Sequence, residues 1–139
     1  MSVLCYASDQ EQVVDIMMAL TRPSPLDSVI ITGSESRELY LSLRRRGIGR
    51  VATPSTFPIP QRRHVIGLVT GQNLLGALAQ AIPFLSANAA IAVLIGELSM
   101  TVRQKLQQMG FRIEAGVRCR RGLVLFACRR GFSQMEQAA

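Results

Sequence analysis

From Val65 to Gly96 the chain runs through 32 residues without one charged side chain. Such a run must be buried, either in a bilayer or in a protein core. A bilayer span needs about 20 consecutive apolar residues. Here Gly71-Gln72-Asn73, Gln80, Pro83 and Ser86-Ala87-Asn88 cut the run into shorter pieces. The pieces predict a strand at 64–70, a helix at 73–85 on Leu74, Leu75, Leu78, Ala81, Ile82 and Leu85, and a strand at 89–95. Strands that are apolar on both sides are buried on both faces, which is the condition of a parallel sheet between helical layers.

The flanks continue the alternation. A helix is predicted over 8–21, capped by Ser8 or Asp9, with Val13, Ile16, Met17 and Leu20 at helical spacing. Arg22-Pro23-Ser24-Pro25 stops it. Residues 28–32 read as a buried strand closed by Gly33, and 35–46 as a helix ending in Arg44-Arg45-Arg46 with Gly47 behind it. A brief strand at 50–53 precedes a loop at 54–62 with three prolines, Pro54, Pro58 and Pro60. Beyond the uncharged run, Ser99 or Thr101 opens a helix to about 109. The segments 111–118 and 123–129 then form an antiparallel hairpin around Arg120-Arg121-Gly122, with 123–129 lying between the strand at 89–95 and an edge at 111–118. One domain is expected over 1–139, with 1–25 as helix and connector and 133–139 as a frayed tail. The fold class is α/β, three layers, with a mostly parallel sheet of about six strands.

Composition narrows the function classes. Charged residues are only 18% of the chain, yet the net charge is +7, and 15 of the 16 cations are Arg. Arg44-Arg45-Arg46 with Arg50, Arg62-Arg63, and Arg118, Arg120, Arg121, Arg129 and Arg130 are candidates for weak, non-specific phosphate contact on a nucleic acid. The set of five Phe, two Tyr and no Trp gives little for bases to stack on. Cys5, Cys119 and Cys128 lack Cys-x-x-Cys spacing, so no zinc site is indicated, and they read as small apolar residues in a reducing compartment. Residues 1–20 hold Asp9, Glu11 and Asp15 and no basic segment, so a cytoplasmic protein without a membrane anchor is expected. His64, the single histidine, reads as a solvated residue at a strand start. Low charge on so small a domain leaves apolar surface, and a homo-oligomer is expected.

Residues 26–130 resemble the class I S-adenosylmethionine-dependent methyltransferase family, whose fold is Rossmann-like. The similarity lies in Leu78 to Leu85, in Ala89 to Ile95, in Val102 to Ile113 with its Gly110-Phe111 entry to a strand, and in the closing segment from Gly122 to Arg129. The resemblance implies a cofactor crevice beside Gly33, Ser34, Glu35, Thr53 and Gly71, at the carboxyl ends of the strands where strand order reverses. The family's first strand ends in an acid and a Gly-x-Gly-x-Gly turn. This chain reads Ile30-Ile31-Thr32-Gly33-Ser34-Glu35-Ser36-Arg37, with Ile31 at the acid and Glu35 and Arg37 at the later glycines. Thr53 stands where the resemblance puts the acid for the ribose hydroxyls, and no carboxylate lies between Glu38 and Glu97. Glu35 and Glu38 are expected to cap the helix that follows, and Asn73 the one after Gly71. The expectation is an S-adenosylmethionine site that has degenerated, no ordinary methyl transfer, no metal, and a role in interaction or oligomerisation. An active methyltransferase with altered cofactor contacts is the alternative, and a basic nucleic-acid-binding module is the third reading.

Overall fold

A computed structural model of the chain describes residues 2–54, 64–96 and 100–129, with side chains from residue 9 onward. The elements are α1 (Ser2–Thr21), β1 (Val29–Thr32), α2 (Ser36–Arg45), β2 (Val51–Ala52), β3 (His64–Val69), α3 (Leu74–Ala81), β4 (Leu85–Ile95), α4 (Met100–Gln108), β5 (Phe111–Cys119) and β6 (Gly122–Arg129). The expected loop at 54–62, beyond Pro54, and the expected frayed tail lie outside the described residues.

The strands form one sheet in the order β2-β1-β3-β4-β6-β5. β1 pairs in parallel with β2 and β3, and β3 with β4. β6 runs antiparallel between β4 and the edge strand β5, the hairpin arrangement that the short turn at 120–122 requires. Alternation along each strand divides the core in two. Ile30, Val69, Ile91, Val93 and Leu125 face α3 and α4, while Val29, Ile31, Ile66, Leu68, Ala92 and Leu94 face α1 and α2. The result is three layers, as the unbroken apolar strands demanded.

Four expectations need correction. α1 begins at Ser2 rather than at residue 8, so Ser8 and Asp9 lie inside the helix. The helix at 73–85 ends at Ala81, because Pro83 has no amide hydrogen to continue it; a 3-10 turn at Ile82–Phe84 follows. β4 therefore starts at Leu85, four residues before 89, where Leu85 finds a register partner in His64. His64 is not solvated: it is 3% exposed, with its ring centroid 6.4 Å from that of Phe84. Asn73 does cap α3, its Oδ1 accepting from Gly76 N at 3.2 Å. No described helix is long and apolar enough to cross a membrane.

Candidate functional site

β1 and β3 are neighbours, yet the chain leaves β1 through α2 on one face and leaves β3 through α3 on the other. The switch point lies between their carboxyl ends, where open α/β sheets take ligands. Gly33 and Gly71 are the first turn residues there, with φ of +110° and +109°. Their turns press together. A Cβ on Gly33 would lie 1.6 Å from the Thr70 carbonyl oxygen, and one on Gly71 would lie 2.6 Å from Ser34 N. Only glycine combines that φ with that approach. Ser34 thus sits against Gly71, and Gly33 against Thr70.

Thr53 follows β2, half-buried, one position beyond the Ile30–Ala52 pair and so level with Ile31. Ile31 is wholly buried on the α1/α2 face. The described residues at this end therefore offer a hydroxyl and an aliphatic side chain at the two positions where the resemblance implies carboxylates.

Glu35 is the residue preceding α2, but its side chain makes no cap hydrogen bond. Its carboxylate is engaged from across the sheet. The register of Ile95 with Leu123 brings the β5–β6 turn to the same end as Gly33 and Gly71. From that turn Arg121 Nη1 donates to Glu35 Oε1 at 2.7 Å, and Nη2 donates to Oε2. Arg121 Nη1 also donates to Gln10 Oε1 of α1 at 2.6 Å. A two-pronged guanidinium–carboxylate pair of this kind is the strong form of the contact. Both side chains are about three-tenths exposed. The hydrogen bond to Glu35 holds Arg121 above the usual guanidinium value, against the opposing effect of its partial burial. Arg120 adds a second tie, its backbone N donating to Gln12 Oε1 at 3.1 Å and its Nη1 meeting Asp9 Oδ1 at 3.4 Å. Thr70, fully buried, and Gln10 each leave one buried polar atom, Oγ1 and Nε2, without a partner among the described residues.

Of the residues expected at the crevice, Gly33, Ser34, Glu35 and Gly71 come together; Thr53 lies one strand away. Gln10 is the participant that sequence reasoning did not single out, and Arg121 was read there only as one of a basic set for phosphate contact. The readable signal was the hairpin turn itself, because the fold places that turn over the parallel strands' carboxyl ends. The rest of the basic set is also engaged in part. Arg46 binds Glu11 and Asp15 of α1 at 2.5 Å each, and Arg129 donates to the carbonyls of Leu85 and Ser86. Arg62, Arg63 and Arg130 lie outside the described residues.

The sheet order and a comparison with solved structures define one fold, that of the class I S-adenosylmethionine-dependent methyltransferases. A release-factor-specific protein-(glutamine-N5) methyltransferase from Alicyclobacillus acidocaldarius superposes with a TM-score of 0.55 at 17% identity, over 88% of this chain and 92% of that one. A tRNA methyltransferase from Aquifex aeolicus gives 0.59 at 12%, over 85% and 68%. A further S-adenosylmethionine-dependent methyltransferase from Aquifex aeolicus gives 0.52 at 11%, over 87% and 98%. At these identities the likeness is one of fold, and fold alone does not carry activity. No family model and no curated protein sequence matches the chain.

Proposed function

We propose that this chain is a methyltransferase-fold module that does not perform ordinary methyl transfer, its adenosylmethionine crevice being occupied by its own side chains, and that it works through protein association. The observation that carries this reading is the Glu35–Arg121 pair. It joins the N-terminal end of α2, two residues after Gly33, to the β5–β6 turn, at the same end of the sheet as the Gly33 and Gly71 turns. A cofactor would have to displace a charge-assisted pair and then find its own partners. Those are scarce, since Ile31 and Thr53 offer no carboxylate and no acid lies between Glu38 and Glu97. Each missing contact to a charged ligand group forfeits about 1.5–3 kcal/mol, and 1.4 kcal/mol is a factor of ten in affinity. The residues at this end do not fit adenosylmethionine.

A melting curve with added adenosylmethionine tests the reading. A ligand at 100 times its dissociation constant stabilises by about 2.7 kcal/mol, or about 10 °C at roughly 4 °C per kcal/mol for a chain of this size. The proposal expects no shift at millimolar ligand. A shift of that size would favour the active enzyme with altered contacts. Phosphate binding by the arginine clusters is the weaker proposal, because Arg46, Arg120, Arg121 and Arg129 already meet partners within the fold.

A further inference from the structure

We infer that the groove between α3 and α4 is a binding site for a small amphiphilic anion, an aliphatic chain with one carboxylate, whose head meets Lys105 and whose tail lies along α3. This goes beyond the function proposed above and does not depend on it. The groove is open and has a volume of about 340 Å³. Its two walls differ in chemistry. The α3 wall is Leu75, Gly76 and Ala79, and the α4 wall is Thr101, Gln104, Lys105 and Gln108. The four α4 residues fall at the three- and four-residue spacing that puts them on one face of a helix. One wall is therefore apolar, and the other holds a hydroxyl, two amides and a single cation.

Charge selects the head group. Neither helix carries a carboxylate. Lys105 is half-buried, and among the described residues its ammonium has no hydrogen bond or ion pair. Other cations of the fold are matched, Arg46 by Glu11 and Asp15 and Arg121 by Glu35. A cation at the wall of an apolar groove has given up some water without a protein partner in return. An anion brought by a ligand supplies that partner as a charge-assisted contact. One cation suits one negative charge, and the amides of Gln104 and Gln108 offer further donors beside it.

The α3 wall selects the rest of the ligand. Leu75 is 40% exposed, and its burial under an apolar chain is favourable. An inorganic anion would leave this wall bare, and an uncharged chain would leave Lys105 unmatched, so the two walls specify the two halves of one molecule. A cavity of about 150 Å³ holds a benzene ring, so about 340 Å³ has room for a chain of about eight carbons and its head group. About ten heavy atoms in an open groove bind weakly, with a dissociation constant on the order of a millimolar.

Titration of octanoate into the isotope-labelled full chain, followed by amide chemical shifts, tests the inference. Saturable shifts are expected at Leu75, Gly76, Ala79, Thr101 and Lys105. Octylammonium, with the same tail and the opposite charge, is expected to bind at least about tenfold more weakly, and acetate, a head without a tail, to give no saturable shift. Lys105→Gln is expected to weaken octanoate at least about fivefold, and Lys105→Arg, which keeps the charge, to retain it. Ala79→Leu fills the groove at an exposed helix position that favours leucine, so the variant keeps its fold and is expected to lose octanoate. Arg50→Gln removes an exposed cation outside the groove and is expected to change nothing. Octanoate shifts that never saturate, or that follow the exposed arginines instead of the groove, overturn the inference. Equal binding of octylammonium overturns it as well, as does octanoate binding that survives both Lys105→Gln and Ala79→Leu.

Discussion

Gly33→Ala puts a number on the contact between the turns that follow β1 and β3. Gly33 has a φ of +110°, and an added Cβ would lie 1.6 Å from the Thr70 carbonyl oxygen and 2.7 Å from its carbonyl carbon. The left-handed backbone alone costs an L-residue about 1–2 kcal/mol. Forcing backbone apart in a packed site adds about 1–3 kcal/mol, so the variant is expected to lose about 2–5 kcal/mol. Gly47→Ala supplies the control, because Gly47 has a φ of +91° with nothing within 4 Å of the added carbon. It bears the backbone term only, about 1–2 kcal/mol. The difference between the two variants, read from urea melts at pH 7, isolates the contact between the Gly33 turn and Thr70. It is expected to reach at least about 1 kcal/mol, or about 4 °C in melting temperature. Equal losses in the two variants would mean that the turns after β1 and β3 do not press on each other, and the packing argument for Gly33 would fail.

Other perturbations have defined outcomes. Glu11 takes a hydrogen bond from Arg46 Nη2 and another from the Ser42 hydroxyl, and the first of these chiefly holds its carboxyl below the usual 4.5 despite partial burial. The unfolded chain therefore binds the proton more readily. The contribution is full above pH 4.5 and lost as pH falls through the lower folded value. At about a third exposed, the contact is worth under about 1 kcal/mol, and Glu11→Gln is expected to flatten the stability profile between about pH 5 and pH 3 in acid urea titrations. Asn73→Ala removes the α3 cap and is expected to cost about 1 kcal/mol by thermal melt, with Asn73→Asp largely retaining it. Thr32→Val deletes a buried hydroxyl that donates to Ala77 O at 2.8 Å and is expected to cost about 0.5–1.5 kcal/mol in the same assay.

What could be read from the sequence, and what could not, divides by the range of the interaction. The strands at 64–70 and 89–95 and the closing hairpin are local statements of apolar pattern and turn chemistry, and they stand in the structure within a few residues. The glycines at 33 and 71 were legible as turn residues, but their mutual contact was not, because it joins positions 38 apart in sequence. His64 looked solvated because a polar residue at a strand start usually is; pairing with Leu85 and packing by Phe84 bury it. Ser8 and Asp9 looked like a helix start because their side chains favour caps, yet Asp9 spends its carboxylate on Arg120 instead, 111 residues away. Glu35 failed as a cap for the same reason: a guanidinium 86 residues downstream competes better for its carboxylate than the first amides of α2 do.

The central claim is that the crevice of this fold is held by the chain's own Glu35 and Arg121 and not by adenosylmethionine. Calorimetric titration of adenosylmethionine into the wild-type protein and into Glu35→Ala tests it most directly. The account predicts no heat of binding in either protein at millimolar ligand, because removing Glu35 frees the crevice mouth but restores no acid at Ile31 or Thr53. If wild type alone binds, Glu35 is a cofactor ligand rather than a staple. Tight binding in both proteins would contradict the account outright, and would place the cofactor away from the Gly33 and Gly71 turns.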